Sequence, residues 1–368
     1  MLQLTMLTLM CLAFMMFQIK GTSSPLNVIF AYIQNIAFQV ELSGFYGYYG
    51  RKVNAIITTI LGIWDLDFFR FVVPPLCISP SLKAIDCILF QYILAIYPLL
   101  FTSVIYFCIQ SERFVLCCYP LKRCLSKLCI SWDPKRTILH TFATFFLFSY
   151  TKVLFTSSCL LLVVHSYNAT GQRVPNSAVL FLDPSIEFLH SKHAPYVFLA
   201  LLILFTCIIT PPLLLAMFPT RAFRKCVDCL GFQRWDIFHQ VMDVFQGWYK
   251  DGTEGTYDYR SFSAFFLVLR IAHGGKMIAI ALLDNRKEQI FMEAILVGIS
   301  QVSMGVLFFI MKPYKKNWMS NVDGLLFTVA GSYILLETFH NDLLNNFAFG
   351  LAVVFTILCV VYAFIKMH

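Results

Sequence analysis

The sequence predicts an all-α fold, a polytopic integral membrane helical bundle of seven or eight transmembrane helices. The first observation is composition: 59% of the 368 residues are hydrophobic and 13% are charged, whereas soluble domains carry about 25% charged residues. The second is a series of apolar runs long enough to cross a bilayer. The third is an uneven distribution of Lys and Arg between the loops that connect these runs.

Seven apolar runs form the predicted transmembrane domain, residues 82–368. At a rise of about 1.5 Å per residue, most of them can cross a hydrocarbon core of about 30 Å. The runs are Leu82–Cys108, Thr137–His165, Pro195–Phe218, Ser261–Leu283, Ile290–Met311, Leu325–Glu337 and Phe347–Ile365. Residues 1–81 are predicted to hold one more run, Leu2–Phe17, which is either a membrane helix or a signal segment, followed by an extracellular or interfacial region.

The positions of Lys and Arg predict the orientation of the chain. Sixteen of them lie in the loops 109–136, 219–260 and 312–324 or in the C-terminal tail, against eight in the loops of the opposite side. Because basic loops stay on the cytosolic side, the C-terminus is predicted to be cytosolic. Asn168 begins the glycosylation acceptor Asn-Ala-Thr, and it falls in the loop 166–194, which the charge count places outside. The expected location is the plasma membrane.

Lys152 is predicted to lie near the middle of the run Thr137–His165. A cation at that depth costs about 2.5–3.5 kcal/mol on insertion scales, so we expect it to face the interior of the bundle. Glu293, near one end of its run, and Glu337 are the acidic residues that the sequence places in the predicted spans. The sequence leaves two interpretations open: an ion or proton pathway or a switch pair, and a structural lock between helices.

Arg270, His273 and Lys276 follow one another at a spacing of three and therefore share one helix face. They come directly after the polar, aromatic-rich stretch Val241–Arg260, in which Gly252 and Gly255 interrupt any helix. One interpretation is a face that senses voltage or a ligand. The other is a polar face packed inward against Glu293 and loop carbonyls.

Cysteines are placed where modification is chemically reasonable. Cys117, Cys118, Cys124 and Cys129 surround two basic residues beside the membrane, which is typical of S-palmitoylation sites. Cys77 and Cys87 lie on the predicted extracellular side and are candidates for a disulfide. Simple apolar filling is the alternative for all six. We find no motif of a standard enzyme, so neither an enzyme activity, a cofactor nor a metal site is predicted.

Four segments carry a resemblance to a known group: GIWDLDFFRFVVPPLC (62–77), TFATFFLFSYTKVL (141–154), FLDPSIEFLHSKHAPY (181–196) and FQGWYKDGTEGTYDYRSF (245–262). Together they resemble the multi-pass membrane tail of large, mostly uncharacterised cell-surface proteins of sponges, cnidarians and other invertebrates, over residues 22–316. That resemblance implies an upstream ectodomain of adhesion-type or Cys-rich modules. The segment MKPYKKNWMSNVD (311–323) is distantly similar to the fungal TRP-like membrane domain. Neither group supplies assigned pore or catalytic residues.

Two functional hypotheses follow. The first is a TRP-like ion channel or transport domain, favoured by the charged residues inside the predicted spans. The alternative is a seven-helix receptor or adhesion-type module that couples an ectodomain to the cytosol. The expected partners are the lipid bilayer and further copies of the chain in a homo-oligomer, and the net charge of +8 is explained by topology rather than by nucleic acid.

Overall fold

The structure, a computed structural model, describes residues 84–110, 134–167, 173–180, 183–189, 193–220, 236–253, 255–281 and 294–337, with isolated positions elsewhere. The described helices are α1 (Ala84–Gln110), α2 (Pro134–Leu161), α3 (Ala194–Met217), α4 (Asp236–Gln246), α5 (Phe262–Ala281), α6 (Ala294–Ile299 continued by Ser300–Met311) and α7 (Asn317–Glu337). The described strands are β1 (Val163–Tyr167), β2 (Arg173–Leu180) and β3 (Asp183–Glu187). The described part of the chain is therefore mostly helical, as predicted.

Four of the described helices are long and apolar enough to cross a membrane. They are α1, α2, α3 and α7, and their apolar parts run over Leu89–Ile109, Thr137–Leu161, Ala194–Met217 and Asn317–Leu336. The two short π-helical segments, Leu204–Ile209 in α3 and Ala294–Ile299 in α6, do not interrupt the helices that contain them. The total of seven or eight spans stays a prediction.

A small antiparallel sheet between α2 and α3 is the main departure from the all-α expectation. Its strand order is β1-β2-β3, and Val163 pairs with Leu180 while His165 pairs with Ala178. The predicted span Thr137–His165 therefore ends earlier, at Leu161, because the β-branched pair that follows favours an extended strand. Most of the sheet lies in the segment 166–194, which the sequence analysis treated as a plain loop.

The start of α7 is the second departure. The sequence predicts a basic loop over residues 312–324, but α7 begins at Asn317. Lys312 ends α6 in a left-handed conformation (φ 45°), and its N–H donates to the carbonyl of Phe308 at 3.1 Å. The connecting loop is thus reduced to a few residues, and α6 and α7 form an antiparallel hairpin.

The chain divides into two compact units. The described part of the first unit holds α1 from Gln91, α2 as far as Lys152, and α4. Its apolar core joins the ends of α1 and α2 to the amphipathic α4, through Tyr106, Ile109, Ile138, Leu139, Val241 and Val244. Ser149 on α2 donates a hydrogen bond to the carbonyl of Ala95 on α1 at 2.5 Å, so the two helices are also joined by a polar contact.

The second unit contains the sheet, α3, α5, α6 and α7. Within it, α5 packs against α3 and α6, and α6 packs along most of α7. α3 leaves large apolar side chains exposed along its length, among them Phe198 and Phe205. An exposed apolar surface of this kind is what a lipid-facing helix requires.

Candidate functional site

Two of the predicted charged residues are deeply buried. Lys152 on α2 and Arg270 on α5 are each 2% exposed. The buried side chains nearest to Lys152 along α2 include Ser149, Thr151 and Thr156, so its surroundings on this helix are rich in hydroxyl groups. Burial of a cation in an apolar helix is costly unless polar groups surround it, which marks both positions as candidates for function.

Other predicted residues fall on described backbone or outside it. His273 and Lys276 lie on α5, Glu337 is the last residue of α7 and Cys87 lies in α1, but the side chains of all four are outside the described set. Residues entirely outside it are Glu293, Asn168, Cys77, Cys117, Cys118, Cys124 and Cys129. Their predicted roles therefore stay predictions.

Asp323 is a third buried charged residue, and the sequence analysis missed it. Its side chain is 2% exposed and lies within α7, eight residues before Gly331 and well inside the membrane-length segment Asn317–Leu336. The sequence analysis assigned it to the wet loop 312–324. The sequence nevertheless carries a signal of a helix here, because apolar residues recur at helical spacing through this position. They are Met319, Val322, Leu326, Phe327 and Ala330, and all five are buried.

Asp323 is the end of a short chain of hydrogen bonds. Tyr314 donates its phenolic proton to Oδ2 of Asp323 at 2.7 Å, and the Oη atoms of Tyr249 and Tyr314 lie 3.4 Å apart. Because the proton of Tyr314 is directed at the carboxylate, Tyr249 is the donor to Tyr314. Ser320 accepts a hydrogen bond from the backbone N–H of Tyr314 at 3.3 Å, which fixes the tyrosine over the first turn of α7. We call Tyr249, Tyr314 and Asp323 the tyrosine–aspartate cluster.

Burial determines the ionisation of the two tyrosines. Tyr249 is 4% exposed and Tyr314 is 1% exposed, and desolvation raises the pKa of both hydroxyls well above the ordinary value. The nearby charge of Asp323 raises both pKa values further. Both hydroxyls therefore stay protonated at any physiological pH, so that Tyr314 donates to the carboxylate and Tyr249 donates to Tyr314.

The loop before α5 holds Tyr249 in place through backbone bonds. The N–H of Lys250 donates to the carbonyl of Pro313 at 2.9 Å, and Tyr249 and Tyr314 form an isolated β-bridge. A second bridge joins Asp251 to Asp258 and closes the loop on itself. Gly252 (φ 80°) and Gly255 (φ 72°) supply the left-handed turns that this closure needs.

The exposed side of the same loop is charged. Asp258 binds Arg260 through two side-chain contacts of 3.0 and 2.7 Å, and this hydrogen bonding raises the pKa of the guanidinium. Asp251 accepts bonds from the hydroxyl and the N–H of Thr253, which lower the pKa of its carboxyl. Lys315 lies 3.8 Å from Asp251. These solvent-exposed pairs contribute little to stability and mainly define the shape of the loop.

A cluster of aromatic rings packs against Tyr314 of the tyrosine–aspartate cluster. Phe308 is fully buried, and its ring centroid lies 5.7 Å from that of Tyr314. Phe262, Phe266 and Phe327 surround Phe308 with centroid distances of 5.6 to 6.0 Å. Phenylalanine rings offer no hydrogen-bond donor to a buried carboxylate. The Tyr314 hydroxyl is therefore a principal source of polar stabilisation for Asp323.

Comparison with protein-family models, with curated proteins and with solved structures finds no match for this chain. The site is therefore characterised by its own geometry: a buried carboxyl group at Asp323, Tyr314 directed at it, and Tyr249 bonded to Tyr314. Lys152 in the first unit and Arg270 in the second are separate buried cations. Within the part of the chain that the structure describes, no three His, Cys, Asp or Glu side chains are grouped as a metal site. The arrangement can stabilise a charge and can respond to a change in it.

Proposed function

We propose that the chain is a multi-pass membrane protein with TRP-like ion-channel or transport activity. The observation that supports this proposal is the burial of three ionisable side chains, Lys152, Arg270 and Asp323, each 2% exposed, within apolar helices. A purely structural anchor has little use for such residues because each one opposes insertion into lipid. Buried charges in membrane helices are most often found along ion or proton pathways and in switching elements.

Within this proposal the tyrosine–aspartate cluster is the element that couples the 249–260 loop to the α6–α7 hairpin. Tyr249, on the loop, donates to Tyr314, on the hairpin turn, and Tyr314 donates in turn to the Asp323 carboxylate. Movement of the loop would remove the donor to Tyr314 and so weaken the last bond of this chain, at a cost of about 1 kcal/mol. The loop position and the charge state of the hairpin are thereby linked.

Ion flux into liposomes tests the proposal. The purified full chain is reconstituted, and flux of Na⁺, K⁺, Ca²⁺, Cl⁻ and H⁺ is followed with ion-sensitive dyes under an applied potential. We expect flux of at least one ion, and we expect Asp323→Asn to change its rate or selectivity while Lys225→Gln, at an exposed position, does not. Absence of flux for every ion, with correctly folded protein in the membrane, would contradict the proposal.

The receptor or adhesion-type module remains the second candidate because of the sheet β1-β2-β3. This sheet is a folded element between two membrane-length helices, on the side that the charge count assigns to the exterior. A receptor needs such an element to contact an ectodomain or a ligand. Two measurements separate the candidates. A receptor is expected to show no ion flux, and binding of an antibody fragment to the sheet is expected to change the protease cleavage of its loop 219–260.

The orientation belongs to the same proposal. We place the chain in the plasma membrane with the C-terminus in the cytosol, with lipid and further copies of the chain as its partners. Glycosylation of Asn168 in a secretory-pathway expression system, removed by Asn168→Gln, is the expected result. Modification of a tag at the C-terminus by the same machinery would contradict the orientation.

A further inference from the structure

His193 occupies a position that neither functional hypothesis uses. It lies just before α3, where the chain turns from the sheet into that helix, and it is fully buried. Its Nε2 lies 3.1 Å from the carbonyl oxygen of Leu160 near the end of α2, and its Nδ1 accepts from the N–H of Leu189 at 3.3 Å. Phe188 packs on the ring, with centroids 5.1 Å apart.

These two contacts determine the tautomer of His193. A backbone carbonyl can only accept and a backbone N–H can only donate, so Nε2 must carry the proton and Nδ1 must be unprotonated. The buried ring is therefore a neutral imidazole in the folded protein. A second proton on Nδ1 would face the N–H of Leu189, which is a donor opposite a donor in a site without exposure to water.

The backbone around Leu189 adds a second observation. Leu189 has a φ of 61°, a left-handed conformation that a non-glycine residue adopts at a cost of order 1 kcal/mol. The hydrogen bond from its own N–H to His193 is one of the contacts that hold this turn. Loss of that bond would allow the backbone at Leu189 to relax toward an ordinary conformation.

We propose that His193 is a pH-sensitive clamp that joins the end of α2 to the turn before α3, and that its protonation releases this turn in acidic surroundings. The clamp is closed while the ring is neutral and opens when Nδ1 takes a proton, because the Leu189 N–H···Nδ1 bond is then lost. The turn lies on the side of the chain predicted to face the exterior or an acidifying lumen. The inference is independent of whether the protein conducts ions.

None of the described titratable neighbours opposes this assignment, and His190 and Lys192, between Leu189 and His193, lie outside the described residues. Around the clamp, the titratable groups with described side chains are Cys159 on α2, Glu187 on β3 and Tyr196 on α3. Glu187 is exposed, so water screens its charge. Burial lowers the pKa of His193 from its ordinary value, and the Leu160 carbonyl offsets part of that effect. His165, Tyr167, Arg173 and Asp183 lie on the same sheet, with side chains outside the described set.

Hydrogen exchange at the Leu189 amide tests the proposal in the full chain in detergent or nanodiscs. After correction for the intrinsic pH dependence of exchange, we expect the opening equilibrium of this amide to rise by up to about tenfold per pH unit between the ordinary histidine pKa of 6.5 and the lowered pKa of the closed state, and to level off below the latter. Amides within α6, far from the clamp in sequence, serve as the internal reference and should not follow this change.

Two variants make the test specific. His193→Gln has no titrating imidazole, so exchange at residue 189 should lose its acid-dependent component whatever its absolute rate. His165→Gln removes a histidine of strand β1 instead and should retain the acid response. Equal protection of Leu189 at pH 7.5 and pH 5 in the wild type, or an unchanged acid response in His193→Gln, would overturn the proposal. If only His165→Gln lost the acid response, His165 and not His193 would be the residue responsible, and the proposal would be wrong.

Discussion

Gly305 on α6 and Gly324 on α7 meet at a point where the two helix backbones leave no room for a side chain. A Cβ at Gly305 would lie 2.6 Å from the carbonyl oxygen of Gly324, and a Cβ at Gly324 would lie 3.0 Å from the carbonyl oxygen of Gly305. The pair Gly298 and Gly331 repeats the arrangement, since a Cβ at Gly331 would lie 2.6 Å from the Gly298 carbonyl oxygen. This close packing fixes the position of α7 along α6, and with it the position of Asp323, which is next to Gly324.

Gly305→Ala is therefore expected to destabilise the hairpin. The added methyl would collide with the backbone of Gly324 and with the side chain and backbone N of Thr328, none of which can move without separating the helices. We expect a loss of about 1–3 kcal/mol in unfolding free energy, measured by thermal unfolding in detergent. Ser303→Ala is the matched control on the exposed face of the same helix and should change little. Equal stability of the two variants would contradict the close packing.

The tyrosine–aspartate cluster predicts an order of effects for two similar substitutions. Tyr314→Phe removes the donor at 2.7 Å from Asp323 and should cost about 1–3 kcal/mol, because a buried carboxylate loses a partner. Tyr249→Phe removes only the outer, 3.4 Å contact and should cost about 1 kcal/mol or less. Tyr257→Phe, at a position 81% exposed, is the control. Chemical denaturation of the three variants gives the comparison, and the reverse order would exclude Tyr314 as the main donor.

The neutral state of His193 predicts how stability depends on pH. Since burial lowers the pKa of the folded state below the ordinary value of 6.5, the unfolded chain binds the proton more readily. The contribution of His193 to the free energy of unfolding is fully present above about pH 6.5. It decreases as the pH falls from 6.5 to the lowered pKa of the folded state, and it stays constant below that pKa. The slope within the window is at most about 1.4 kcal/mol per pH unit. Thermal unfolding of wild type and His193→Gln between pH 7.5 and pH 5 should show a smaller dependence of stability on pH in the variant. An equal pH dependence in the two proteins would contradict a neutral, buried His193.

Buried and exposed cations should respond differently to neutralisation. Lys152→Met and Arg270→Met are expected to reduce the yield of folded protein or the ion flux at least tenfold, because groups that surround a buried charge lose their partner. Lys122→Gln and Arg123→Gln lie in the predicted basic loop 109–136 and should have no comparable effect. Size-exclusion profiles and liposome flux, measured on all four variants, make the comparison. Similar losses in both pairs would contradict the distinction.

The docking of α4 is testable through its apolar face. Val244 packs against the core made by Tyr106, Ile109, Ile138 and Leu139, so Val244→Asp would place an unpaired charge there at a cost of about 2 kcal/mol or more. We expect α4 to detach and become accessible to protease, as seen by limited proteolysis and mass spectrometry. Asp243→Asn, at the adjacent exposed position, should leave cleavage unchanged. Protection of α4 in Val244→Asp would show that this face is not buried in the core.

Local composition was sufficient to predict the mostly helical fold, the apolar runs that became α1, α2, α3 and α7, and the placement of Lys152 and Arg270 within helices. Hydropathy is a property of consecutive residues, so a single chain contains this information. The helical spacing around Asp323 could have placed it in a helix, but the sequence did not show that Tyr249 would meet Tyr314, 65 residues later, or that Tyr314 would donate to Asp323. Those contacts depend on backbone approach between elements distant in sequence, such as that of Gly305 and Gly324, and only the tertiary structure determines such an approach. The sheet β1-β2-β3 was missed for the same reason, since each short strand is stable only through its pairing with the next.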